Sequence, residues 1–148
     1  MRINAFLAAA GFGARRTVER YIRNGEVEVD GKIIHDLATK VDPEQNVVKV
    51  AGRVVVLPTE HIYIALNKPP GVITSAHDPH NKNNVLTLLP PFKRRIFPVG
   101  RLDKNSEGLL FLTSDGDFAN SILHPKFKLA KIYKVKVQGK VKWEALKA

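Results

Sequence analysis

The stretch Gly100-Arg101-Leu102-Asp103-Lys104-Asn105-Ser106-Glu107-Gly108 sets a carboxylate among cations, between the apolar runs 96–99 and 109–113. A carboxylate with an ordinary pKa of about 3.9 is ionised at neutral pH and can attack a sugar carbon or a base. Arg101 stands beside it as a candidate phosphate ligand. The same spacing also describes an ordinary Asp-containing turn. A second candidate is Tyr133 in Lys131-Ile132-Tyr133-Lys134-Val135-Lys136-Val137. Strand alternation puts Lys131, Tyr133 and Val135 on one face and Ile132, Lys134 and Lys136 on the other. An aromatic ring beside a cation can stack on a base while the cation holds a phosphate. A core tyrosine in a half-buried basic strand fits the pattern equally. Lys93-Arg94-Arg95 is a cationic run that suits phosphates or simply a solvated loop. His77-Asp78-Pro79-His80 offers no metal site, because the proline disfavours a helix and no further ligands are at hand. Gly11-Phe12-Gly13 lacks the third glycine of a dinucleotide loop, and Ser106 has neither an adjacent base nor an elbow pattern.

These side chains need a scaffold, and composition limits what it can be. The 148 residues are 44% hydrophobic, enough for one average domain or two small ones with a real core. The chain has no cysteine, which excludes disulfides, thiolate nucleophiles and Cys-based zinc sites. No run of 18 apolar residues occurs, so a transmembrane helix is not expected. The apolar stretch at 5–10 is too short, and too quickly followed by Arg15-Arg16, for a signal peptide, so a cytoplasmic protein is expected. The formal net charge of +10 points to a polyanionic partner, with nucleic acid the default. That charge is uneven: residues 61–148 carry +9, and residues 1–25 carry +4 beside an acidic stretch at 26–60.

Periodicity supplies the elements. Ile3, Phe6, Leu7 and Ala10 predict a first helix stopped by Gly11. A second helix is predicted over 14–24, with Val18, Tyr21 and Ile22 inward and Arg15, Arg16, Arg20 and Arg23 outward. Val27 and Val29 alternate into a strand, and Asp30-Gly31 predicts a hairpin turn. A further hairpin should pair 47–50 with 54–57 across Ala51-Gly52. Leu57-Pro58-Thr59-Glu60 marks a boundary between domains at 1–58 and 61–148. Beyond it, strands are predicted at 62–66, 72–74, 96–99, 109–113 and 131–137. A short helix is predicted at 84–89, and another, capped by Asp117, reaches Leu123.

The segments Arg2-Ile3-Asn4-Ala5-Phe6-Leu7, Ala14-Arg15-Arg16 and Gly25-Glu26-Val27-Glu28-Val29-Asp30-Gly31-Lys32 together resemble an S-four-type RNA-binding module. Leu66-Asn67-Lys68-Pro69-Pro70-Gly71, Gly100-Arg101-Leu102-Asp103 with Gly108-Leu109-Leu110, and Lys131-Ile132-Tyr133 resemble successive motifs of the Rsu-type ribosomal RNA pseudouridine synthase family. The resemblance covers nearly the whole chain and implies an α+β fold: a two-helix and hairpin module, then a mixed α/β catalytic domain with an antiparallel sheet. It implies isomerisation of a uridine in ribosomal RNA without metal or organic cofactor, with large-subunit RNA preferred over small-subunit RNA. Asp103 would match the family's essential aspartate, acting by attack at C1′ or by removing a sugar proton. Tyr133 would match the tyrosine that packs on the target base, and Arg101 the arginine that helps displace the flipped nucleotide. Lys131, Arg15, Arg16, Arg20, Arg23, Lys68, Lys93, Arg94 and Arg95 complete the expected RNA-contacting set. No membrane or DNA partner is expected, and the chain is expected to be a monomer unless another chain completes it. Asn105 departs from the family's usual residue in the loop. Residues 143–148 read as the start of a helix with no stop, so the catalytic domain is expected to be incomplete and this polypeptide alone an incomplete catalyst. A non-catalytic RNA-binding protein, an inactive fragment or a ribosome-assembly factor remain the rival readings.

Overall fold

A computed structural model describes residues 1–76 and 83–141. The helix expected at 143–148 and the His77-Asp78-Pro79-His80 stretch lie outside them. The expected α+β architecture is present as two sheets with helices. Helix α1 spans Ile3–Ala9 and α2 spans Arg15–Arg23. Ile3, Phe6 and Leu7 of α1 and Val18 and Ile22 of α2 are buried together, as their three- and four-residue spacing requires. The start of the chain is pinned to Val41, whose N–H donates to the Met1 carbonyl and whose carbonyl accepts from the Met1 ammonium.

Strands β1 (Val27–Val29), β2 (Lys32–Ile33), β3 (Val48–Val50) and β4 (Arg53–Val54) form an antiparallel sheet in the order β2-β1-β3-β4. Alternation buries Val27, Val29, Val48 and Val50 against the two helices and turns Glu28 outward, directly opposite Lys49. Asp30 and Gly31 take φ of 49° and 79°, both positive as the expected two-residue turn demands. Strand β4 stops at Val54 rather than at Leu57. Val55 turns into the core, whereas Val56 is 76% exposed and has no ladder partner.

The second sheet is antiparallel in the order β5-β7-β6, from β5 (Tyr63–Lys68), β6 (Phe97–Val99) and β7 (Gly108–Thr113). Ile64, Leu66, Leu110 and Leu112 share its inner face. They pack with Val72, Val85, Ile96 and Leu102 into a second core. The expected helix at 84–89 is a single 3-10 stretch, Val85–Leu88, whose start is capped by the Asn84 side chain. The strand expected at 72–74 is reduced to one bridge between Ile73 and Asn84. Only Ile73 meets a partner there, and Thr74 turns its hydroxyl toward another loop.

Helix α3 covers Gly116–Leu123, and its cap is Asp115 rather than the expected Asp117. The Asp115 Oδ1 accepts from the N–H of Asp117 (2.9 Å) and of Phe118 (3.1 Å), so Asp117 is already inside the first turn. Phe118 then lies edge-on to Tyr63 (5.0 Å) and Phe111 (6.2 Å) on the outer face of the sheet, and the Tyr63 hydroxyl donates to Asp115 Oδ2 at 2.7 Å. Burial pushes the Asp115 carboxyl up. The hydrogen bonds from Tyr63, Phe118 and Asp117 and the charge of His61 together outweigh that effect and hold its pKa below the ordinary value. A depressed carboxyl contributes stability that is present above its unfolded-state pKa and is lost as pH falls through the lower folded value. Asp115→Ala should therefore cost about 1 kcal/mol near neutral pH, the usual worth of such a cap, and less in acid. Urea unfolding of both proteins at neutral pH and near pH 2.5 checks the sign, because the gap must shrink in acid.

The strand expected at 131–137 is the clearest departure. The segment makes no ladder and is exposed throughout, with Ile132 at 97% and Val135 at 75%. Alternation supplies β propensity, but a strand also needs an edge to pair with, and none meets it among the described residues. Among those residues, too, no helix is long and apolar enough to cross a membrane.

Candidate functional site

The loop from Gly100 to Glu107 joins β6 to β7, the outer and central strands of the second sheet. Gly100 enters it with φ of 83°, and a Cβ there would sit 3.3 Å from the Leu123 side chain of α3. Leu102 faces the second core, whereas Arg101, Asp103, Lys104 and Asn105 are exposed. The Asp103 carboxylate takes part in no hydrogen bond or ion pair among the described residues. Its main-chain oxygen accepts from the Ser106 N–H at 3.1 Å, which tightens the turn beneath it.

What holds the loop comes from the end of β5 and the segment that follows it. Lys68 is fully buried (0% exposed), and its Nζ donates to the carbonyls of Ser106 (2.7 Å), Pro69 (3.0 Å) and Lys104 (3.2 Å). Three acceptors match the three N–H donors of a protonated amine and no other state of it. Burial pushes the Lys68 ammonium below its ordinary pKa, and the negative charge of Asp103 opposes that shift without cancelling it. The Gly71 N–H donates to the Lys104 carbonyl at 2.8 Å. The Thr74 hydroxyl donates to the Leu102 carbonyl at 2.7 Å and accepts from the Leu102 N–H at 3.2 Å. Residues 102, 104 and 106 are thus each fixed from below, and the carboxylate between them projects into solvent.

Lys68, expected among the RNA-contacting residues, lies buried beneath the loop in this structure. It continues the inward phase of Ile64 and Leu66 along β5, so its ammonium reaches the underside of the loop instead of water. The period-two pattern carried that signal, although lysine is a residue type that almost always points out. Thr74, also buried at 7% exposure, had no such signal, because its partner lies 28 residues away.

The remaining candidates sit on the surface. Arg15, Arg16, Arg20 and Arg23 are all exposed on α2. Arg15 donates to the Asn4 side-chain carbonyl at 3.3 Å, and Arg23 lies 3.8 Å from Glu19. Lys93, Arg94 and Arg95 are exposed as well. The Arg94 guanidinium donates to the Glu60 carbonyl, and Arg95 sits 5.4 Å above the Phe97 ring, so both are partly committed to the fold. Lys131 and Tyr133 lie in the unpaired segment, with Tyr133 at 64% exposure, and no hydrogen bond or ring contact among the described residues involves the Tyr133 side chain. The described residues contain no group of three His, Cys, Asp or Glu side chains able to hold a metal ion.

Residues 62–147 match the family model described as RNA pseudouridylate synthase, and residues 1–47 match the S4 domain. A protein of Aquifex aeolicus described as an uncharacterized RNA pseudouridine synthase is 45% identical over 148 residues, which is 99% of this chain and 59% of that protein. An uncharacterized RNA pseudouridine synthase of Mycobacterium leprae is 40% identical over 95% of this chain and 56% of its own length. Ribosomal large subunit pseudouridine synthase B of Bacillus subtilis is 40% identical over 93% of this chain and 56% of its own length. The chain spans a little over half the length of these curated relatives.

Proposed function

The chain belongs to the RNA pseudouridylate synthase family, and from that premise we propose that it takes part in converting a uridine of ribosomal RNA to pseudouridine, with Asp103 as the reacting group. The observation that carries this reading is the Asp103 carboxylate itself: exposed, unpartnered, and mounted on a loop whose flanking residues are held by Thr74, Gly71 and Lys68. Nucleophilic and base chemistry need a negative group that is available to substrate and cannot wander.

The reaction is an isomerisation. The N1–C1′ bond breaks, the uracil turns, C5 bonds to C1′, C5 gives up its proton and N1 takes one up, so no cofactor is consumed. Asp103 serves either by attack at C1′ or by drawing a proton from the sugar. Both routes need the nucleotide out of its stack, because C1′ and the base faces are covered inside a helix, and extrusion costs a few kcal/mol. Phosphate contacts offset that cost. Arg15, Arg16, Arg20 and Arg23 would grip structured RNA from a module at 1–58, and Arg101, Lys93, Arg94, Arg95 and Lys131 would hold it around a catalytic unit at 61–148. Tyr133 would stack on the extruded base. Large-subunit ribosomal RNA is favoured because that is the substrate class named for the Bacillus subtilis relative.

The test is release of tritium to water from ribosomal RNA transcripts labelled at uridine C5, incubated with the 148-residue chain, together with mapping of the modified position. Release at one mapped uridine is the expected result. The exposure of Tyr133, in a segment that pairs with no strand among the described residues, favours a second reading, RNA binding without turnover. Tight binding with no release would replace the first reading by that one.

Binding itself carries a prediction. If α2 grips phosphates, each of Arg16→Ala and Arg20→Ala should lower the slope of log affinity against log salt by about 0.7–0.9. Filter binding across roughly 50 to 200 mM salt measures it. An unchanged slope would remove α2 from the interface.

A further inference from the structure

Among the described residues no hydrogen bond or ion pair aims the Asp103 carboxylate, so the direction it takes is set by the main chain on either side. Behind it, Lys104 is held by Gly71 and Lys68. In front of it, both main-chain groups of Leu102 are held by one atom, the Oγ1 of Thr74, which donates to the carbonyl at 2.7 Å and accepts from the N–H at 3.2 Å. Among the described residues neither group of Leu102 has another partner. The Leu102 side chain packs against the second core, so the residue is anchored at three points, two of which depend on a single hydroxyl. From this geometry we infer that Thr74 is a positioning residue for the reaction, fixing the peptide plane that points Asp103 at the extruded nucleoside; the inference rests on the reading of Asp103 given above.

Removing the hydroxyl frees two main-chain groups beside a solvent-facing turn. The peptide can satisfy them by rotating outward toward the exposed residues of the turn while the core beneath stays packed. Such a rotation swings the neighbouring carboxylate, and a misplacement of about 1 Å costs on the order of 100-fold in rate. Substrate affinity, set by the cationic surface, is untouched. A residue that acted only through stability would lower the melting temperature without a selective loss of kcat.

The full 148-residue chain and its Thr74→Val, Thr74→Ala and Thr74→Ser variants are compared on C5-tritiated ribosomal RNA transcripts, with amide exchange at Leu102 followed in the free proteins. Thr74→Val and Thr74→Ala should each lose at least about tenfold in kcat with KM nearly unchanged, while Thr74→Ser, which keeps the oxygen, restores turnover. Thr74→Ala needs no repacking and stands in if the valine variant does not fold. The Leu102 amide should exchange at least about tenfold faster in the valine and alanine variants and at the original rate in the serine variant. A valine or alanine variant with kcat near that of the unaltered chain, a loss that serine does not restore, or equal Leu102 exchange in all four proteins would overturn the role of Thr74 alone. Absence of release by the unaltered chain would instead overturn the reading of function, and the aiming role with it.

Discussion

Asp103→Asn should give a protein that folds, binds RNA and releases no C5 proton. The exchange is nearly isosteric and removes only the charge. Among the described residues the Asp103 side chain makes no hydrogen bond or ion pair, and its charge touches the fold only through its pull on the Lys68 ammonium: the turn is closed by its main-chain oxygen, and the loop by Lys68, Gly71 and Thr74. The melting temperature should therefore fall only slightly, through the lost pull on the Lys68 ammonium, and RNA affinity should hold. An amide neither attacks a sugar carbon nor draws a proton from one, so the loss in kcat should reach about 1,000-fold or more, as when other enzymes lose a nucleophile. Tritium release under single-turnover conditions, with filter binding on the same preparation, reads both halves of the expectation. Release within about tenfold of the unaltered chain would take the reaction away from Asp103.

Lys68→Met should damage the fold first and the reaction as a consequence. Methionine fills the same buried volume along β5 but donates nothing. The Pro69 and Ser106 carbonyls lose their Lys68 donor, whereas Lys104 keeps the Gly71 N–H. A buried acceptor left unsatisfied costs about 1–3 kcal/mol. Relief from burying an ammonium returns part of that, so the net loss should be about 2–3 kcal/mol. For a chain of this size that lowers the melting temperature by roughly 5–10 °C. Lys68→Arg should fare no better, because a planar guanidinium cannot direct three donors into a pocket shaped for an ammonium. Calorimetry with RNA-binding isotherms separates this role from the phosphate contact that the residue type suggested. A variant as stable as the parent but weaker in RNA affinity would return Lys68 to the interface.

Lys68 also shows how far local pattern reaches. Its phase with Ile64 and Leu66 was written in the sequence, yet its charge argued for solvent, and only the three carbonyls waiting beneath the loop decide between the two. The cap of α3 is a similar case. Asp115 and Asp117 stand two residues apart and either can cap, so the choice falls to the backbone, which turns helical at Gly116. The segment 131–137 fails in the opposite sense. Its alternation is a fair strand signal, but a strand is a pairwise object, and no edge meets it among the described residues.

The elements whose cause is local were legible from the residues alone: the helices through the spacing of Ile3, Phe6, Leu7, Val18 and Ile22, the hairpin through Asp30-Gly31, and the exposed carboxylate through the loop between two apolar strands. Family membership was legible in the same way, from motifs read in order. Tertiary structure alone decided what steadies that carboxylate. The hydrogen bonds of Lys68 and Thr74 to the loop span up to 38 residues, and chain pattern encodes which face a residue takes but not which distant carbonyl it will meet.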